Sequence, residues 1–191
     1  MKYKFNAKEY LKKKFIDGDY AIIPIHLENK EDFYNQHDKS CCTISTDICR
    51  YIESCIYNIP LKYKIRLSIE CPEELTQDEK DAMIQAVKAH YGLIVYDKEI
   101  DLEENHKKAL VLSVCGIIIL FITYMVFQYL SNFVAELLLI AGEIGIWEAA
   151  DIYLYDRKNL IVGWEDNKQI FDCELEFINS NEKVLSKSKE K

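Results

Sequence analysis

The sequence is poor in residues that break or cross-link a chain, with three prolines, six glycines and seven cysteines that form no CxxC pair among 191 residues. Zinc sites are usually built from such cysteine pairs, and in a reducing compartment isolated cysteines pack as small apolar residues. His37, Cys41 and Cys42 are the nearest approach to a ligand set, but their spacing is poor and a second pair is missing. We therefore predict no metal site.

Signatures of catalysis are also missing. The sequence contains no GxSxG, P-loop, HExxH or paired-carboxylate pattern, and nothing orients Cys41 or Cys42 as a nucleophile. The net charge of −8 argues against general nucleic-acid binding. We expect no catalytic residues, no cofactor and no enzymatic activity.

Charged residues are absent from residues 109–130, ALVLSVCGIIILFITYMVFQYL. A helix rises ~1.5 Å per residue and a bilayer core is ~30 Å thick, so roughly 20 apolar residues cross it. The rest of the chain is too small to bury such a helix on all sides. We therefore predict a membrane span at about 109–130.

A second apolar segment, at about 133–153, follows after the two residues SN, and so short a connection predicts an antiparallel helical hairpin. Lys107 and Lys108 precede the first span and Arg157 and Lys158 follow the second, with no lysine or arginine between them. The positive-inside rule then places both ends in the cytosol. The N-terminus has no apolar region typical of a signal peptide, so we expect the chain to enter the membrane through residues 109–130 and to keep its N-terminal part in the cytosol.

Outside this hairpin the patterns alternate between strand and helix. Residues 20–27 and 61–71 predict strands, with Pro24 marking an edge or a bulge, and residues 43–60 predict a helix. Thr76 and Glu79 have the spacing of a capping box, so a second helix should begin near 77, with a possible interruption at Gly92. Its predicted inner face consists of Met83, Ala86, Val87 and His90. Residues 169–177, QIFDCELEF, predict a strand that returns to the sheet.

The predicted fold class is thus an α+β membrane protein. A small cytosolic α/β domain spans residues 1–106, and residues 107–156 form a two-helix transmembrane hairpin. Residues 157–178 supply a C-terminal strand returning to the cytosolic sheet, and residues 179–191 are expected to be a disordered tail.

Four acids interrupt the second span. Glu136 can reach the outer headgroups, and Glu148 and Asp151 the inner interface, but Glu143 falls near the midplane, about 15 Å from the start of the span. Trp147, Tyr153 and Tyr155, followed by Arg157 and Lys158, are typical of the inner membrane interface.

Glu143 is expected to face protein or water, because an ionised carboxylate toward lipid costs several kcal/mol. It is either hydrogen-bonded to Ser113, Thr123 or a neighbouring helix, or it lines a water-filled pore together with Glu136, seven residues away on the same face. A proton-relay role in a transporter is disfavoured because inverted repeats are absent. A single hairpin cannot hide Glu143 on all sides, so we expect a homo-oligomer surrounded by membrane lipids. A stripe of Ala141, Gly145 and Ala149 would let its helices approach closely.

Two basic regions are candidates for contact with anions. Lys62, Lys64 and Arg66 lie on the outer face of the strand at 61–71 and are either a solvated surface or a face for an anionic ligand such as a nucleotide. Residues 1–15 form a basic N-terminal segment with six lysines against one glutamate. It would contact the anionic inner leaflet or a polyanion, and Lys12, Lys13 and Lys14 could extend the ligand face.

The second span ends GIWEAADIYLYDRKNL, and this motif together with the two-span layout resembles small bacterial membrane effectors of anti-phage defence, in particular the channel subunit of the Hailong system. The resemblance implies an oligomeric channel in the inner, cytoplasmic membrane of a bacterium, a tetramer in that family. It also implies a nucleotidyltransferase partner whose DNA oligomers hold the channel shut. No ligand-binding residues are implied, because no ligand motif of the family is present.

Two hypotheses of function follow. The first is an oligomeric ion channel or pore-type effector of anti-phage defence, gated by a ligand or partner on its cytosolic domain. The alternative is a non-conducting membrane-anchored interaction module, or a structural subunit that recruits a cytosolic partner.

Overall fold

The computed structural model describes residues 14–40 and 42–179. They form an α+β fold that divides into two compact units. One, the sheet unit, comprises the described residues of Met1–Val95 and Glu165–Lys191. The other, the hairpin unit, comprises Tyr96–Trp164.

Four strands form one sheet in the order β1 (Ile16–Asp17), β2 (Tyr20–His26), β3 (Lys64–Cys71) and β4 (Glu174–Asn179). A turn with Gly18 at φ +60° joins β1 to β2 as an antiparallel pair, a backbone conformation that favours glycine. β2 pairs in parallel with β3, and β3 pairs in parallel with β4. Pro24 lies beyond the short pairing with β1, which reaches only to Ala21, so no hydrogen bond to β1 is lost at the proline.

Helices cover one face of this sheet. Helix α1 (Thr46–Ile56) begins after Ser45 and buries Cys49, Ile52, Cys55 and Ile56, which recur at the spacing of one helix face. Alternate residues of β2 and β3 meet them, the fully buried ones being Ala21, Ile23, Ile65, Leu67 and Ile69. The predicted strands at 20–27 and 61–71 and the predicted helix before Pro60 are therefore confirmed, with β3 three residues shorter at its start.

Helix α2 runs without a break over Gln77–Val126. The predicted capping box is present: the Thr76 amide donates to Glu79 Oε2 at 2.9 Å and the Glu79 amide to Thr76 Oγ1 at 3.3 Å. Met83, Ala86 and Val87 are buried as predicted, but Tyr91 rather than His90 completes the buried face.

The expected interruption at Gly92 is wrong. A Cβ at Gly92 would lie 3.1 Å from a ring carbon of Phe171, so this glycine allows close packing inside a continuous helix. Glycine lowers helix propensity by only about 1 kcal/mol, which packing outweighs.

The C-terminal strand joins the sheet as predicted but begins five residues later than expected. Helix α4 (Arg157–Phe171) takes up the first residues of the QIF segment because Ile170 is buried in the core and Phe171 packs beside Gly92. Gln169 Nε2 also donates to the Tyr63 carbonyl at 2.7 Å. β4 then starts at Glu174.

Candidate functional site

The hairpin unit contains two helices packed against each other, the second half of α2 and helix α3 (Asn132–Asp151), joined by a 3-10 turn at Phe127–Tyr129. Gly116 lies against Gly142 and Gly145, while Leu120 meets Gly142 and Leu112 meets Gly145. The residue numbers of the contacts rise along α2 while they fall along α3, so the two helices are antiparallel. The two helices therefore pack as an antiparallel pair, but the predicted pair of membrane spans is not shown, because only one described segment, Gln77–Tyr129, is long and apolar enough to cross a membrane.

Glycine makes this close approach possible. A Cβ on Gly116 would lie 2.8 Å from the Gly142 carbonyl oxygen, and a Cβ on Gly142 would lie 2.7 Å from the Leu120 side chain. Both distances are below van der Waals contact, so neither position accepts a side chain at the present helix separation. Helices that approach through small residues gain dispersion contacts along their backbones.

The contact faces of the two helices follow steps of three and four residues. On α3 the buried positions are Ala135, Gly142 and Ala149, spaced by seven, with Gly145 half-buried between the last two. On α2 the corresponding buried positions are Asn105, Ala109, Gly116 and Thr123. Such steps are typical of left-handed helix pairs.

The predicted small-residue stripe only partly matches this contact face. Gly145 and Ala149 lie on it, but Ala141 is exposed and Gly142 takes its place. Spacings of four and of seven residues both occur between small residues of this helix, and the sequence alone did not identify which set faces α2.

The four acids of α3, Glu136, Glu143, Glu148 and Asp151, are all exposed. Glu143 forms no hydrogen bond or ion pair with any residue that the structure describes. Thr123, one of its predicted partners, is buried and instead donates its hydroxyl to the Ile119 carbonyl at 2.8 Å. Glu143 and Glu136 lie about two helical turns apart on one side of α3, away from its contact with α2.

One described helical segment, Gln77–Tyr129, is long and apolar enough to cross a membrane by length and composition. Its apolar residues are mostly exposed within the single chain, as are those of α3. Exposed examples are Val114, Ile117, Phe121, Leu137, Ile140 and Ile144. α3 carries its four acids within 20 residues, so composition alone does not mark it as a span.

The predicted interface residues cluster where α3 ends. Trp147, Tyr153 and Tyr155 are exposed, the last two in a π-helical turn at Ile152–Asp156. The Arg157 guanidinium stands 5.1 Å from the Tyr153 ring centroid, and the His106 ring lies 6.5 Å from the same ring. Lys158 is exposed.

The basic strand face differs from its predicted form because β4 brings acids beside it. Arg66 Nη2 lies 3.0 Å from Glu174 Oε2, and the guanidinium stacks 4.0 Å from the Tyr20 ring centroid. Hydrogen bonding to Arg66 lowers the pKa of Glu174, the largest cause of that shift. Arg66 is therefore held by its own chain, while Lys62 and Lys64 are exposed.

Of the three lysines predicted to extend the basic face, only Lys14 is among the described residues. Lys14 is exposed, with its ammonium 4.8 Å from the Phe15 ring centroid, and Lys12 and Lys13 lie outside the described residues.

A cleft of about 630 Å³ lies on the sheet unit, between the start of α2 and the loop after β2. Its floor is apolar, with Tyr34, Met83 and Ala86, and its rim carries Lys30, Glu31, Asp78 and Glu79. Lys30 Nζ bonds Glu79 Oε1 at 2.7 Å. The acids outnumber the cation on this rim, which disfavours a phosphate or nucleic-acid ligand there.

The buried thiols of the sheet unit are unsuited to nucleophilic chemistry. Burial raises the pKa of Cys49 to about 11 and that of Cys173 to about 12, so both remain protonated at neutral pH. Tyr91, buried beside them, has its pKa raised by the same cause. Within residues 14–40 and 42–179, no cluster of three histidine, cysteine, aspartate or glutamate side chains is arranged to hold a metal ion.

Comparison of the chain with protein-family models, with curated proteins and with solved structures finds no match.

Proposed function

We propose that this chain is a subunit of an oligomeric membrane channel whose pore is lined by Glu143 and Glu136. The observation that carries the proposal is Glu143, an exposed carboxylate without a partner among the described residues. It lies midway along a helix that also exposes apolar side chains such as Ile140 and Ile144. Lipid cannot accommodate that carboxylate, whereas a water-filled conduit between copies can.

Both helices of the hairpin cross the bilayer in this proposal, although α3 is rich in acids. The reason is topological. β3 precedes α2 and β4 follows α4, yet β3 and β4 pair directly, with Leu67 opposite Leu175 and Ile69 opposite Phe177. A chain that crosses once along α2 must cross back before Glu174, and α3 is the apolar helix between them.

The orientation follows from the charges at the two ends of the hairpin. Lys107, Lys108, Arg157 and Lys158 mark the cytosolic side, and no lysine or arginine lies between Lys108 and Arg157. The sheet unit is then cytosolic, in a bacterial inner membrane, with Trp147, Tyr153 and Tyr155 at the inner interface.

The conduit requires several copies because one hairpin leaves Glu143 exposed. Rings of carboxylates attract cations and repel anions, so the proposed channel conducts cations. Glu136 and Glu143 would form two such rings about 10 Å apart along the axis.

The regulatory part of the proposal follows the resemblance to the Hailong channel subunit. The cytosolic sheet unit would bind a ligand or a partner, with a nucleotide or DNA oligomer from a nucleotidyltransferase as the candidate in an anti-phage role. The exposed pair Lys62 and Lys64 is the region of the sheet unit proposed for an anion.

Reconstitution into liposomes tests the channel. Wild-type protein is expected to release a potassium gradient, and Glu143→Leu is expected to reduce the flux at least about tenfold, since it removes the charge and the water-attracting group from the pore. Glu148→Gln is the matched control because it removes an exposed acid from another side of the same helix near its end, and it should leave the flux intact.

The outcomes separate the two hypotheses of function. Wild-type vesicles that hold their gradient, from protein that is monomeric in detergent, would exclude a channel. They would leave the membrane-anchored interaction module. Flux that is equal in wild type and Glu143→Leu would retain a pore but remove Glu143 from it.

A further inference from the structure

Helix α2 carries an exposed apolar stripe before it reaches the charge-free segment. Leu93 is 67% exposed, Tyr96 60% and Ile100 38%. They lie on one unbroken helix at steps of three and four residues, preceded four residues earlier by the exposed Ala89. We call Leu93, Tyr96 and Ile100 the α2 stripe.

Lipid does not cover the α2 stripe. Eight of the twelve residues at 97–108, DKEIDLEENHKK, are charged, so this part of the helix lies in water. Nor do the residues that the structure describes cover it, since all three of its side chains are exposed. The contacts of this stretch use another side of the helix, where Val95 and Asn105 are buried and Glu99 accepts a hydrogen bond from Trp164 at 3.2 Å.

Steps of three and four residues are the signature of a helix seam that packs against another helix. The stripe continues at the same steps through an ion pair, Lys107 Nζ to Glu103 Oε1 at 2.9 Å, into the exposed apolar positions Leu110, Val114, Ile117 and Phe121. Among residues 14–40 and 42–179, none packs over this face of α2 at the apolar positions from Leu93 to Phe121.

We propose that the α2 stripe packs against a second copy of this chain. The inference rests on the membrane placement proposed above, because copies held in one bilayer are parallel and lie at the same depth. Each stripe residue therefore meets a neighbouring copy at its own level, which is the arrangement that a parallel helix seam requires.

The charges beside the stripe give this contact a distinctive salt dependence. Asp97 and Glu104 flank Tyr96 and Ile100, so like charges approach each other when two copies of the helix pair. Salt screens that repulsion, with a Debye length of about 10 Å at 0.1 M, and self-association should strengthen as salt rises. A basic partner protein on the same stripe would be released by salt instead.

Two measurements on the full-length protein test the contact. Leu93→Asp is expected to raise the dissociation constant of the oligomer in detergent at least about tenfold, because the contact then buries an unpaired charge. Tyr57→Asp is the control, since Tyr57 is 83% exposed and belongs to another element of the chain. Circular dichroism establishes that both variants are folded.

Cross-linking does not depend on tolerance of a charge. Leu93→Cys should form a disulfide between copies on mild oxidation, above the background of the native cysteines measured in the wild type, whereas Tyr57→Cys should not. Cross-linking and a tenfold weaker oligomer for Leu93→Asp support the seam.

Unchanged stoichiometry for Leu93→Asp together with no cross-link for Leu93→Cys overturns the seam, even where liposomes still leak. Dissociation of the complex as salt rises also overturns the seam, because the stripe then binds a basic protein instead of a second copy of this chain. Intact gradients with a cross-linked, salt-strengthened oligomer would instead retain the seam and overturn the channel.

Discussion

Glycine and alanine set the distance between the two helices of the hairpin. Gly116 faces Gly142 and Gly145, and Ala149 is buried on the same side of α3. Where both partners lack a side chain, backbones approach until carbonyl oxygens and α-carbons touch. Helix association in a membrane depends on such contacts, because no hydrophobic driving force adds to them.

A side chain at Gly116 should therefore separate the helices. For Gly116→Val we expect a loss of about 1–3 kcal/mol of stability, typical of overpacking, because its Cβ alone would stand 2.8 Å from the Gly142 carbonyl oxygen. Gly163→Val is the control, since a Cβ there comes no nearer than 3.9 Å to any side chain. Thermal unfolding in detergent provides the comparison, and equal midpoints for the two variants would contradict the packing argument.

The sequence identified the acids of α3 but not which face of that helix packs against α2. Glu143 stood out because depth along a helix can be counted from the sequence. The contact residue Gly142, immediately before it, did not, because Ala141–Gly145–Ala149 and Ala135–Gly142–Ala149 are equally regular. Arg66 was likewise seen as a free cation, because its partner Glu174 is more than a hundred residues away in the chain.

At the scale of elements, local signals were the reliable ones. The capping box at Thr76 and Glu79, the alternation in β3 and the spacing within α1 each predicted an element that the structure contains. Boundaries set by tertiary packing were missed: α2 continues through Gly92 and α4 extends to Phe171 because these two residues pack together.

The start of α2 should respond to acid. Hydrogen bonding to Lys30, the largest cause, lowers the pKa of Glu79 to about 2 from 4.5. A depressed folded-state pKa means that this contribution is fully present above pH about 4.5 and is lost as pH falls toward about 2. Lys30→Met should therefore lower the stability above pH about 4.5 and flatten its loss in acid, so that variant and wild type converge as pH falls toward about 2.

Thermal unfolding followed by circular dichroism over this pH range measures the difference in stability between wild type and Lys30→Met. Arg50→Met is the matched control, because the Arg50–Asp47 pair is longer, at 3.9 Å, and both side chains are largely exposed. Parallel pH profiles for wild type and Lys30→Met would show that the ion pair does not stabilise Glu79.

At the scale of the whole molecule, the sheet depends on β4, a strand that follows the hairpin in the chain. β3 has β2 on one edge and β4 on the other, so removal of β4 leaves a row of backbone groups unpaired beside Leu67 and Ile69. Because β3 and β4 are so far apart in the chain, the sequence predicts β4 as an alternating segment but does not show which strand it pairs with.

Truncation tests this dependence. Deletion of everything after Cys173 removes β4 and should yield a protein that aggregates or is rapidly degraded, whereas deletion of residues 180–191 keeps the whole strand, which ends at Asn179. Limited proteolysis and yield of monodisperse protein provide the measurement. Equal behaviour of the two truncations would show that the sheet unit is stable with three strands.

The order of synthesis gives this pairing a role in biogenesis. The ribosome completes β3 before the hairpin and β4 only after it, and the bonded side chains of Arg66 and Glu174 are 108 positions apart. If the hairpin inserts as proposed, failure of the second helix to cross back leaves β4 on the opposite side of the bilayer from β3. The edge of β3 then has no partner and is exposed to proteases. Closure of the sheet would then act as a checkpoint, retaining those subunits in which both helices have been threaded correctly.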